Sequence, residues 1–157
     1  MTPEIVELLQ RTKAAVLANP EHFNMDYWYA SSDDPDIFGP DDLIEIEGGD
    51  KVPQTPLLGM LGACGTVACA AGWIVALSGE KVNPGEYIAH AGARLIDFKG
   101  DIETEPCPLF HTSYWPYRLL TAYDGATAAE DRAKVFAKAV DLWIESDGVP
   151  GAFSNAR

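Results

Sequence analysis

The stretch GTVACAAGWIVALSG, residues 65–79, constrains the fold more than any other part of the chain. Thr66 is a good N-cap, and Gly79 is a natural C-terminal stop. Everything between Thr66 and Ser78 is apolar or small, so the run predicts a helix over residues 67–77. A helix that is apolar all round has no face for water and must sit at the centre of the molecule. Its Ala, Cys and Gly residues let neighbours approach closely, and Trp73 fills the space beyond. The expected fold is therefore mainly α: a single helical domain around a buried central helix. A minor antiparallel β hairpin is expected beside it.

The flanking sequence supplies the other layers. Thr2 caps a first helix with Pro3 at its first position and Glu4 at its positive end. Ile5, Leu8, Leu9, Val16 and Leu17 mark its apolar face, and Asn19-Pro20 ends it. FNMDYWYA, residues 23–30, is one helical turn or an extended lid. Residues 31–56 form an acidic loop insert. Within it, DLIEIE alternates Ile44 and Ile46 against Glu45 and Glu47, the pattern of a short strand that turns at residues 48–50 toward Val52. Further helices are expected over residues 84–98, with Ile88, Ala91, Leu95 and Ile96 inward, and over RLLTAYDGA, ending near Gly125. LFHTSYWP lays Leu109, Phe110 and Trp115 on the core. Thr127 to Glu130 reads as a capping box that opens a last helix with Ala133, Phe136, Ala137, Val140 and Ile144 inward. One globular domain over residues 1–147 and a flexible tail over 148–157 complete the plan.

Charge narrows the partners. The chain of 157 residues has 24 Asp and Glu against 11 Lys and Arg, a formal net charge of −13. Direct nucleic-acid binding is not expected, because the phosphate backbone repels such a chain at long range and its cations are scattered. A protein partner with a basic surface fits better. No apolar run reaches the ~20 residues of a membrane span. The N-terminus reads as an amphipathic helix rather than a signal peptide. Three cysteines are an odd number, which points to a reducing, cytoplasmic setting and away from a disulfide framework.

Four chemistries compete with simple packing. Cys64, beside the expected helix start, is a candidate nucleophile, because a helix N-terminus favours thiolate. The only histidines are His22, His90 and His111, and sequence alone pairs none of them with it. Cys64, Cys69, Cys107 and His111 have the ligand types of a structural zinc site, although the usual zinc-knuckle turns are missing. DPDIFGPDDLIE, Asp34 to Glu45, places Asp34, Asp36, Gly39, Asp42 and Glu45 at EF-hand positions, but Phe38 stands where an oxygen ligand belongs. A small-ligand cleft would use Trp28, Trp115 and the Gly65-Thr66 helix start, whose N–H groups suit an anion such as a nucleotide phosphate. Free cysteines behave as small buried hydrophobes and loop tryptophans as core lids, which favours packing for these residues. No cofactor is expected. P-loop, nucleophile-elbow and zinc-protease motifs are absent.

Three motifs together resemble a family of small uncharacterised proteins found in bacteria and their phages. The family pattern reads F-N-M-x-x-W, then C-G-T-x-x-C-x-A-G-W, then L-F with W-P. Phe23, Asn24, Met25, Trp28, Cys64, Gly65, Thr66, Cys69, Ala71, Gly72, Trp73, Leu109, Phe110, Trp115 and Pro116 match it. The likeness runs from about residue 22 to 144, and the acidic 31–50 insert departs from it. It implies a lineage and no mechanism. The leading functional expectation is a non-enzymatic interaction protein that uses Asp33, Asp34, Asp36, Asp41 and Asp42 on a protein partner. A phage lineage would make it a host-factor inhibitor. The alternatives are a small-ligand or nucleotide-sequestering protein and a cysteine-dependent enzyme.

Overall fold

The structure is a computed structural model that describes residues 1–25, 29–31, 43–45, 51–53, 66–80, 83, 86, 88–100 and 106–155. It is mainly helical, with six α-helices among the described residues.

Helix α1, Pro3–Ala18, starts as its sequence dictates. The Thr2 hydroxyl accepts the Ile5 N–H at 3.4 Å, and Pro3 occupies the first position, where no N–H is needed. Leu9, Thr12 and Val16 are fully buried. Thr12 is a polar residue in an apolar contact, and its hydroxyl is satisfied by donating to the Leu8 carbonyl at 2.9 Å. Asn19 ends the helix, and a 3₁₀ turn over Pro20–His22 redirects the chain.

Strand β1, Tyr29–Ser31, pairs antiparallel with β4, Thr66–Ala68, placing Ala30 opposite Val67. Strands β2, Leu43–Glu45, and β3, Lys51–Pro53, form a second antiparallel ladder with Ile44 opposite Val52. The β1–β4 ladder changes the reading of the central segment. Thr66 does not cap a helix: it lies in β4, and α2 spans Ala70–Ser78 with Cys69 as its N-cap residue. Thr66 and Val67 are β-branched and take extended geometry when a partner strand is offered. Cys69 is still extended, with φ −75° and ψ 179°, so the helix begins only after it. Gly79 does end α2, in the left-handed conformation at φ +73°.

The placement of α2 agrees with its sequence. Ala70 through Ala76 are all buried, and the helix packs on α1 and on α3, Ile88–Leu95. The α2–α3 contact is close because Gly92 faces Ala71. A Cβ on Gly92 would lie 3.0 Å from the Ala71 Cβ and 3.2 Å from Phe110. Helix α3 is shorter than the 84–98 span expected. It stops when Asp97 turns left-handed at φ 54° and the Phe98 N–H returns to the Ala93 carbonyl at 2.9 Å.

The C-terminal half is a helical hairpin of α4, Tyr117–Asp124, and α5, Ala129–Glu145. The capping box at residues 127–130 does not form: Ala128 is the N-cap of α5 and makes no side-chain cap bond. Arg132 donates to the Ala126 carbonyl at 3.1 Å, which fixes the helix entrance one residue past Thr127. Glu130 and Asp131 still favour the positive end. Helix α5 buries Ala133, Phe136, Ala137 and Val140 as expected, and Trp143 as well. Beyond Gly148 the expected frayed tail is replaced by α6, Pro150–Ser154. Its Phe153 is fully buried and meets Trp143 edge-on at 5.2 Å. Lys13 of α1 and Asp141 of α5 pair at 2.6 Å, and the N-terminal amino group pairs with Asp147.

Candidate functional site

The motif residues that the structure describes converge on one region, and there they build core. Trp73 donates its indole N–H to the His22 carbonyl at 3.1 Å. Phe23 forms a β-bridge with Ala68 and packs its ring 4.7 Å from that of Phe136. The Asn24 N–H reaches the Ala68 carbonyl at 3.2 Å. The Met25 N–H reaches the Tyr123 hydroxyl at 2.9 Å. Leu109, Phe110 and Trp115 are buried, as their sequence suggests. The F-N-M segment is thereby stitched to the end of β4 and, through Tyr123, to α4.

Trp115, expected as a ligand contact, is placed in the core. It is 4% exposed, meets Tyr123 edge-on at 5.5 Å and donates to the Leu109 carbonyl at 3.4 Å. Its area is spent on the core, where a large aromatic contributes most. Thr66 lies in a strand, so the helix start expected to receive an anion there does not exist. Trp28 and Gly65, the other proposed ligand contacts, lie outside the described residues.

The thiols behave in the same way. Cys69 is fully buried at the start of α2. Burial pushes its pKa up to about 11; the backbone N–H groups of Gly72 and Ala71 pull it down by less. The effect of the helix start on a thiol is therefore present and outweighed by desolvation. Burial likewise pushes Cys107 up to about 12. Neither thiol is in a disulfide. Cys64 lies outside the described residues. His111 is half-buried, with its pKa lowered by desolvation and its ring edge-on to Tyr114 at 6.2 Å.

Among the described residues no group of three His, Cys, Asp or Glu side chains is placed to hold a metal ion. Cys69, Cys107 and His111 therefore do not form the zinc set that their residue types suggested. Glu45, the last position of the EF-hand-like run, is in strand β2 opposite Lys51 rather than at the start of a helix. Asp33, Asp34, Asp36, Asp41 and Asp42 lie outside the described residues.

One surface feature escaped the sequence reading. Helices α4 and α5 border an open groove of about 420 Å³ floored by Leu119, Ala122, Val135 and Leu142. Arg118 and Lys138 flank it, each one helical turn before an apolar lining residue, Ala122 and Leu142. That cation-then-apolar spacing was the available signal. It is weak, because an exposed basic residue on an amphipathic helix is ordinary.

No family model, curated protein or solved structure matches the chain. No helix among the described residues is long and apolar enough to cross a membrane.

Proposed function

We propose that the protein is a non-enzymatic interaction protein whose acidic 31–50 region engages a basic surface on a protein partner in the cytoplasm. The observation that carries this reading is a concentration of charge. Eight of the 24 acidic residues fall within residues 31–50, and no Lys or Arg accompanies them. A cluster of one sign raises local potential and steers an oppositely charged surface into contact. Core packing has no use for it. Burial holds the two described thiols, Cys69 and Cys107, protonated at neutral pH, and Cys64, the candidate nucleophile, lies outside the described residues. Exposed aromatics offer anchoring area: Tyr117 is 81% exposed and Tyr114 44%. If the resemblance to phage proteins reflects descent, the partner is a host factor and the role is inhibition.

The test is capture of partners with the wild-type chain and with a variant carrying Asp→Asn at positions 33, 34, 36, 41 and 42. A partner that binds the wild type, weakens with added salt and is lost by the variant supports the reading. A partner set unchanged by the five substitutions overturns it.

A further inference from the structure

The groove between α4 and α5 reverses the sign of the chain's charge locally. Of the three charged residues beside it, Asp141 is already paired with Lys13 at 2.6 Å. Arg118 and Lys138 are exposed, and neither has a hydrogen bond or ion pair with any described residue. Among the described residues Lys13, Arg94, Lys99 and Lys134 pair with carboxylates, and Arg11 and Arg132 donate to main-chain carbonyls. Arg118 and Lys138 therefore stand on the two sides of one groove, one on α4 and one on α5, with no carboxylate partner among the described residues.

The geometry selects among occupants. The groove is open along the surface, whereas a small-molecule site encloses most of its ligand. A nucleic acid or an anionic membrane would set many negative charges against a chain of net charge −13, more than two cations offset, whereas one helix brings only a few carboxylates. A single helix fits. Its apolar stripe can lie over exposed Ala122 and half-buried Leu142, with buried Leu119 and Val135 beneath them, and carboxylates on its two flanks can meet Arg118 on α4 and Lys138 on α5. Helix-in-groove recognition works through anchors repeating every three to four residues.

We propose that this groove docks an acidic amphipathic helix of a partner protein. The site uses residues and a sign of charge different from those of the acidic 31–50 region, and it does not rest on that region's role.

The test uses a synthetic helical peptide of roughly four turns, with Leu along one stripe and Glu on both flanks. Its controls are the same peptide with Lys for Glu and a scramble of identical composition. Binding is followed by fluorescence anisotropy and mapped by backbone amide shifts of the full chain. The Glu peptide is expected to bind at micromolar strength and to shift amides around Leu119, Ala122, Val135 and Leu142. The Lys peptide and the scramble should not bind. Arg118→Glu with Lys138→Glu should weaken the Glu peptide at least tenfold and create binding of the Lys peptide. Both positions are exposed, so an unchanged melting temperature shows that the fold survives. The five Asp→Asn substitutions in the 31–50 region should leave peptide binding in place, so the two proposals fail separately. Four outcomes overturn the proposal: no binding at millimolar peptide, equal binding of the two charge forms, amide shifts elsewhere, or indifference to the charge reversal. Concentration-dependent shifts at the groove without peptide also overturn it, by showing that a second copy of this chain is the occupant.

Discussion

The indole N–H of Trp73 donates to the main-chain carbonyl of His22, 51 residues earlier, at 3.1 Å. One bond thus ties the central helix to the turn that follows α1. It forces the F-N-M segment to run beside β4, where Phe23 bridges Ala68. Trp73→Phe keeps an aromatic ring and deletes the donor. The partly buried carbonyl then loses this partner, at a cost of about 1 kcal/mol. Urea unfolding measures it. A variant as stable as the wild type contradicts this role for Trp73.

The α2–α3 contact predicts intolerance at Gly92. A Cβ there lies 3.1 Å from the Ala71 Cα, which is backbone and cannot rotate away. Gly92→Val adds two further methyl groups against Ala71 and Phe110 and should destabilise by about 1–3 kcal/mol, the usual range for overpacking. Thermal unfolding with far-UV circular dichroism reads it. Unchanged stability would mean that the two helices do not approach this closely.

Phe153 predicts that the C-terminus matters. Its ring is fully buried against Trp143. Phe153→Ala should cost about 3 kcal/mol, near the lower end for truncating a buried aromatic. Removing residues 150–157 should cost at least as much. If both changes are neutral in urea unfolding, α6 does not belong to the core.

The buried thiols predict both a labelling pattern and a pH dependence. In the native protein at pH 8, iodoacetamide should leave Cys69 and Cys107 unmodified over a period that labels them fully in urea. Peptide mass spectrometry assigns each site, and native labelling at the unfolded rate contradicts their burial. The pKa values are raised to about 11 and about 12 in the folded chain, against ~8.5 for a free thiol. Below ~8.5 both states keep the proton and the contribution to stability is complete. Above it the unfolded chain releases protons that the folded chain retains. Stability therefore falls as the pH rises toward 11. Unfolding free energy should drop between about pH 8.5 and pH 11, and Cys69→Ala with Cys107→Ala should flatten that slope.

What could be read from sequence alone follows the range of the physics involved. The Thr2-Pro3 start of α1, the Gly79 stop of α2 and the end of α4 at Gly125 are local events, each set by one or two residues, and each is legible. The burial of α2 follows from its composition. The error at Thr66 has a nonlocal cause. Thr-Val-Ala can enter a helix or a strand, and the partner that decides, Tyr29–Ser31, lies more than 30 residues away with no turn signal linking the two. Helix α5 begins one residue later than the capping-box pattern places it, because the Arg132–Ala126 contact sets the entrance and a capping-box pattern contains no such information. The α6 helix was missed for a similar reason. PGAFS has little helical drive of its own, and the Trp143 ring supplies it. Among the candidate site residues, thiol burial was foreseeable from residue type. The groove flanked by Arg118 and Lys138 was not, since it exists only once α4 and α5 lie side by side.

The proposed role is binding of another protein through the acidic segment, residues 31–50. The most direct measurement is native mass spectrometry of the untagged chain taken straight from the cells that make it. It is run beside a denatured control and beside the variant with Asp→Asn at 33, 34, 36, 41 and 42. The account predicts a protein-sized added mass in the wild-type native spectrum that disappears on denaturation and is missing from the variant. A small added mass, of a metal or a metabolite, or a protein complex that persists in the variant, would contradict it.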